Sequence, residues 1–156
     1  MLRSATNDLS SLGIMSFFKR RPKLSIIVNF YNMQREAERT LYSLSTAYQQ
    51  NIKAEDYEVL AIDNGSSKPL EADAVQAFGK NFHYHYLQTQ SVSPCKALNQ
   101  AARLAKGEFI ICCIDGARIL SPNILSLSLQ ATKLHPHPFI YTMGYAPRQQ
   151  TAKFKY

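Results

Sequence analysis

Two stretches carry side chains suited to chemistry. Asp63 closes the apolar run 57–62 (Y-E-V-L-A-I) and leads into Asn64-Gly65-Ser66-Ser67, and Asp115 closes the run 109–114 (F-I-I-C-C-I) and leads into Gly116. An unpaired carboxylate is too costly in the middle of a strand buried on both faces, but not at its end. Open α/β sheets bind ligands outside the carboxyl ends of their strands. Two aspartates and an Asn-Gly-Ser turn on one such edge can hold sugar hydroxyls, the edge of a base, or a cation bridging phosphates. Taken singly, each aspartate also suits a plainer role, capping nearby backbone N–H groups.

The elements between these stretches decide whether the aspartates meet. Residues 24–30 (L-S-I-I-V-N-F) predict a first strand, with Asn32 as N-cap of a helix carrying Ala37, Leu41, Leu44 and Tyr48 on one face. After the strand 57–62, the span 69–79 predicts a short helix and 82–87 (F-H-Y-H-Y-L) a strand with one wetter face. Ser93 and Pro94 start the next helix and Gly107 stops it, with Ala97, Leu98, Ala101, Leu104 and Ala105 on its apolar side. The unalternated run 109–114 predicts the strand in the middle of the sheet. Ser121-Pro122 opens a further helix, and 139–143 predicts a fifth strand. This βαβαβαβαβ order specifies a three-layer αβα domain with a mostly parallel sheet. Parallel strands share a carboxyl edge, so Asp63 and Asp115 are expected to converge there.

Charge and composition narrow the function. The chain has 156 residues, 46% hydrophobic and 19% charged, with a net charge of +7. That excess sits at the ends: residues 1–23 sum to +4 and 148–156 to +3, while the rest is neutral. The expected organisation is a flexible basic leader over 1–22, one α/β domain over 23–147 and a basic tail over 148–156. Met15 is a candidate start, because the residues before it carry no periodic pattern. The basic ends are candidates for contact with anionic lipid headgroups or a partner chain. No basic face interleaved with aromatics points to nucleic acid. The leader has its positive charges after its weak apolar run, the reverse of a secretory signal, so the expected location is cytoplasmic or peripheral to the membrane.

Other chemistries find little support. Neither G-x-G-x-x-G, G-x-x-x-x-G-K-[ST] nor G-x-S-x-G occurs. Cys112 and Cys113 are adjacent, so in a strand they face opposite ways and are expected as small buried hydrophobes. His83 and His85 share a strand face, but no third metal ligand lies near them in sequence, and an edge-strand polar face is the preferred reading.

Four successive segments over about 95 residues carry a resemblance: S-I-I-V-N-F-Y-N at 25–32, Y-E-V-L-A-I-D-N-G-S-S at 57–67, A-L-N-Q-A-A-R-L-A-K-G-E-F-I at 97–110 and I-D-G-A-R at 114–118. In order and spacing the chain resembles glycosyltransferase family 2, in the nucleotide-sugar-binding half of its GT-A fold. The resemblance implies transfer of a sugar from a nucleoside diphosphate donor to an acceptor hydroxyl. It implies that Asn29, Tyr31 and Asn32 shape the nucleotide pocket, with Asn29 where the family most often has proline. It implies that Asp63, followed by Asn64, hydrogen-bonds the base, and that Asn99, with Arg103, borders the donor site. Asp115 matches the first acid of the family's D-x-D element, which contacts the ribose and helps hold Mg²⁺ or Mn²⁺. Ala117 stands where the second acid would be, so Asp115 alone would hold the cation weakly, and Arg118 is a candidate to neutralise the diphosphate instead. No Asp or Glu follows Asp115, so no general base for the acceptor is found. The expectation is a donor-binding domain lacking an acceptor half; the alternative is a non-catalytic module that works with a partner chain.

Overall fold

The computed structural model describes residues 21–91, 93–142 and 144. Most of the expected leader, and the whole of the expected tail, lie outside the described residues. Strands β1 (Leu24–Phe30) and β2 (Tyr57–Asp63) are buried along their full length and pair in parallel, Leu24 opposite Tyr57 and Phe30 opposite Asp63. Strand β3 (Phe82–Tyr86) adds to β2 and strand β4 (Phe109–Cys113) to β1, all parallel, in the order β3-β2-β1-β4.

Helices cover both faces. On one face Ile26, Val28, Phe30, Val59 and Ala61 pack with Ala37 and Leu41 of α1 (Gln34–Leu44), Val75 of α2 (Ala72–Gln76) and Leu125 of α4 (Ile124–Ala131). On the other, Ile27, Leu60 and Ile62 pack with Ala97 and Ala101 of α3 (Cys95–Leu104). The alanines let α3 approach the sheet closely, and each buried Ile or Leu contributes about 1.5–3 kcal/mol. The αβα architecture expected from the alternation of elements is therefore present. Among the described residues no helix is long and apolar enough to cross a membrane.

The position of β4 differs from expectation. Among the described residues it is an edge strand: Phe109, Ile111 and Cys113 join the core, while Ile110 is 48% and Ile114 62% exposed. Its run is unalternated in sequence, yet only one face is covered, because α3 lies over β1 and β2. Cys112 is exposed on the open face and only Cys113 packs inward, so the expectation of two buried thiols holds for neither fully. Residues 139–142 form no strand, with Phe139 93% exposed; Met143 lies outside the described residues. Local ends shift too. Helix α1 stops at Leu44, where the Ser45 N–H bonds the Tyr42 carbonyl, so Tyr48 falls outside it. Helix α2 is shorter than 69–79: it starts after Glu71, with the Leu70 N–H before it bonded to Asp63 Oδ2, and ends at Gln76. Pro94 and Asn123, rather than the serines before them, are the N-caps of α3 and α4.

At the amino edge, Glu58 of β2 is buried but paired through one oxygen. Its Oε1 accepts the Ser25 hydroxyl at 2.7 Å and the Lys106 N–H at 2.6 Å, and Ser25 Oγ in turn accepts the Gly107 N–H. This clamp fixes the passage from α3 into β4, which sets where the residues after β4 emerge.

Candidate functional site

The strand order reverses between β1 and β4, the place where open α/β sheets bind ligands outside their carboxyl ends. Asp63 and Asp115 lie on that edge on either side of β1. With strands about 4.8 Å apart, their backbones are separated by on the order of 10 Å. They can touch two parts of one extended ligand, but not grip one atom together.

Asp63 is wholly buried. Its Oδ1 accepts the Ser66 N–H at 2.8 Å, and its Oδ2 accepts the Leu70 N–H at 3.2 Å and the Tyr84 hydroxyl at 3.3 Å. Burial, and then the Asp63 charge, push the Tyr84 hydroxyl well above its ordinary range. Gly65 makes the turn possible: its φ is +79°, and a β-carbon there would collide with the Thr89 carbonyl.

The turn after β1 is locked to this one. Asn32 sits in the left-handed region at φ 52°. Its N–H donates to Ser66 Oγ at 2.8 Å, and its Oδ1 accepts the Ser67 N–H at 2.9 Å and the Ser67 hydroxyl at 3.0 Å. That side chain is committed across the edge, so it does not cap α1 as expected; Met33 is the N-cap and its carbonyl receives the Ala37 N–H. Tyr31, beside it, is 45% exposed.

Two amides complete the middle of the edge. Asn29 Nδ2 donates to the Ile114 carbonyl at 3.3 Å, bridging β1 to the residue before Asp115. The Asn64 N–H donates to the Phe30 carbonyl, and its Nδ2 donates to the Ser91 and Ser93 carbonyls. Among the described residues, the buried side-chain polar atoms left without a hydrogen bond are Asn29 Oδ1 and Asn64 Oδ1. An acceptor buried in this way costs about 1–3 kcal/mol unless something arrives to donate.

The segment after β4 is held from below. Thr40 donates its hydroxyl to the Gly116 carbonyl at 2.6 Å, and Ser43 Oγ accepts the Leu120 N–H at 3.0 Å. Gln49 is buried, donates to the Ser121 carbonyl and accepts the Leu125 N–H. Gly116 is pressed against the Phe30 ring and the Asn29 carbonyl, leaving no room for a β-carbon. On this seat Asp115 is partly exposed. Its Oδ1 accepts the Ala117 N–H at 2.9 Å and its Oδ2 lies 3.2 Å from Arg118 Nε. Both aspartates thus accept nearby N–H groups, but only Asp115 does so at the surface.

A divalent cation does not fit this donor set well. Hard cations want several oxygens, Asp115 is the only carboxylate of its loop, and its Oδ2 lies beside the Arg118 guanidinium, whose charge disfavours a second cation there. Among the described residues no group of three or more His, Cys, Asp or Glu could hold a metal ion.

The edge therefore brings together Asn29, Asn32, Asp63 and Asn64, with Asp115 and Arg118 at its β4 side. Asn99 and Arg103 are exposed on α3, away from the Ala97 and Ala101 face that meets the sheet. Sequence reasoning missed Tyr84, although alternation along β3 puts it on the same face as Phe82 and Tyr86. It also missed Thr40, Ser43 and Gln49, which carry no local signal because their partners lie more than 70 residues away. Grooves of about 370 and 240 Å³ lie elsewhere, the first beside Lys23 and Glu108 at the amino edge, the second beside His83 and Lys106.

Comparison with known proteins fits this geometry. The glycosyl transferase family 2 model matches residues 25–145. The crystal structure of S. aureus TarS 1–349 in complex with UDP is 27% identical with a TM-score of 0.64, over 73% of this chain and 33% of that one. The same protein in complex with UDP-GlcNAc matches at 27% identity and a TM-score of 0.60, over 73% and 32%. The mannosyltransferase PcManGT from Pyrobaculum calidifontis, in complex with GDP-Man and Mn²⁺, shares the fold at 24% identity and a TM-score of 0.53, over 67% and 30%. The chain spans about a third of the length of these structures. No curated protein sequence matches it. With the family match running through all four strands and the edge they build, the chain belongs to glycosyl transferase family 2.

Proposed function

We propose that this chain binds a nucleoside diphosphate sugar on the carboxyl edge of its sheet and presents the sugar for transfer to an acceptor hydroxyl. The observation that carries the reading is the pair of buried, unpaired acceptors, Asn29 Oδ1 and Asn64 Oδ1, toward the carboxyl ends of β1 and β2. Base N–H groups and ribose hydroxyls are the donors a nucleoside offers; both oxygens are closed to solvent in the unliganded chain, so a local opening of the edge brings a donor to them. Asn64 serves the base, on the turn that the buried Asp63 holds in place through the Ser66 and Leu70 N–H groups. Asn29, Tyr31 and Asn32 form the floor, and Asp115 takes a ribose hydroxyl. UDP and UDP-GlcNAc bound to TarS support a uridine donor as the first to test.

The test is a thermal-shift panel with UDP, GDP, dTDP and CDP on the wild-type chain and Asn64→Ala. A ligand at about 100 times its Kd stabilises the fold by ~2.7 kcal/mol. The expected result is a shift with one nucleotide that shrinks in the variant, each protein being compared with its own unliganded Tm. No shift with any nucleotide overturns the reading.

A further inference from the structure

A cation bridging the diphosphate is the usual answer to two adjacent phosphate charges, and the PcManGT structure is a complex with both GDP-Man and Mn²⁺. The loop after β4 in this chain is built differently. One carboxylate stands where a cation would want two, its Oδ1 is tied to the Ala117 N–H, and its Oδ2 faces a guanidinium. Ala117 contributes only a methyl group.

We infer that this domain recognises the diphosphate of its donor without a metal ion, with Arg118 as the fixed counter-charge and Asp115 as the residue that aims it. The inference rests on the donor-binding reading above. Three features support it. Asp115 engages Arg118 through Nε, which leaves the Nη donors of the guanidinium for phosphate oxygens. The Arg118 side chain is 61% exposed, so an anion can reach it. The backbone beneath it does not drift, because Thr40 and Ser43 of α1 fix Gly116 and Leu120 on either side. Arginine suits this role because it is always charged, planar, and able to bond two phosphate oxygens at once. Beside Arg118, Asp115 keeps its acceptor character for a ribose hydroxyl.

The experiment is calorimetric titration of the wild-type chain with UDP and with uridine, each in EDTA and in Mn²⁺. The expected UDP affinity is the same in both conditions. Arg118→Ala is expected to weaken UDP about tenfold or more and to leave uridine unchanged, and Arg118→Lys to recover part of the loss. Ala117→Asp restores a second acid and is expected to make UDP binding respond to Mn²⁺. Paramagnetic resonance of Mn²⁺ added to the wild-type chain alone should show the free ion. UDP binding that requires Mn²⁺, or tight Mn²⁺ binding without nucleotide, overturns the inference and leaves the donor reading standing. An unchanged ratio of UDP to uridine affinity in Arg118→Ala also overturns it. A chain that binds neither UDP nor uridine in any condition overturns the donor reading, and the inference with it.

Discussion

Asp63 and Asp115 share a local grammar, an apolar strand ending in an aspartate and a glycine turn, yet they live in opposite surroundings. Asp63 is sealed beneath its own turn with three donors around it, the last of them from β3. Asp115 stands partly in solvent with one backbone N–H and one arginine. The difference comes from place in the sheet. Strand β2 has a neighbour on each side and helices on both faces, so the turn at its carboxyl end is covered. Among the described residues strand β4 has one neighbour and an open face, so the loop at its carboxyl end is not. An inward carboxylate becomes architecture, because its removal strands the donors aimed at it; an outward one is free to meet a ligand.

The sharpest way to break this comparison is to delete each carboxylate. Asp63→Ala leaves the Ser66 and Leu70 N–H groups and the Tyr84 hydroxyl unpaired in the interior and is expected to cost about 3–5 kcal/mol in urea unfolding. Asp115→Ala is expected to cost no more than about 0.5 kcal/mol. Similar losses for the two would show that environment does not separate them. Truncating apolar side chains extends the test to the strands. Ile62→Ala, in the closed half, is expected to cost about 2–5 kcal/mol, and Ile114→Ala, 62% exposed, less than about 1 kcal/mol on the same scale.

The alkaline limb of stability carries a contribution from Tyr84, beside those of the buried Tyr57 and Cys113. The Tyr84 hydroxyl is held neutral in the fold by burial and by Asp63, above its ordinary 10.0. A raised folded value means stability is intact below pH 10 and falls as pH rises beyond it, because the unfolded chain ionises first. Tyr84→Phe is expected to flatten that fall in a series of unfolding curves taken from pH 8 upward. The gentlest probe is thiol labelling of Cys112 and Cys113 in a Cys95→Ser background. Burial, then the neighbouring Cys112, push the Cys113 thiol up to about 11. Burial also raises Cys112, which is nonetheless exposed. Cys112 is expected to react with iodoacetamide first, and equal rates would mean that the β4 face is covered.

Much of the frame was legible because its signals are local. The β-branched run 24–30 gives a strand with those bounds, and the run ending in Asp63 gives another. The alternation of strands and amphipathic helices gives the layers, and two aspartates on one edge result from parallel pairing. The illegible parts depend on neighbours distant in sequence. Nothing in F-I-I-C-C-I says that α3 will cover β1 and β2 and leave β4 open, so the run by itself points to a middle strand with both cysteines inside. Asn32 has the composition of a helix cap, and only the arrival of Ser66 and Ser67 from the β2 turn redirects it. The run 139–143 has strand composition, but composition supplies no partner edge, and residues 139–142 are irregular. At the site, the identity of Asp63 could be read from sequence, whereas its sealing could not, because Tyr84 and Leu70 close over it from later in the chain.

The joining of Asn32 to Ser66 and Ser67 bears on the thermodynamics of recognition. Three hydrogen bonds weld the turns after β1 and β2 into one body, and Asp63 anchors that body to the core. Their backbone entropy is lost during folding, before any ligand arrives. A nucleotide landing on this edge then has little loop ordering to offset, and its affinity depends mainly on the contacts it makes. Cutting the weld with Asn32→Gly would return that cost to the binding step, as a more unfavourable entropy of association at nearly constant enthalpy.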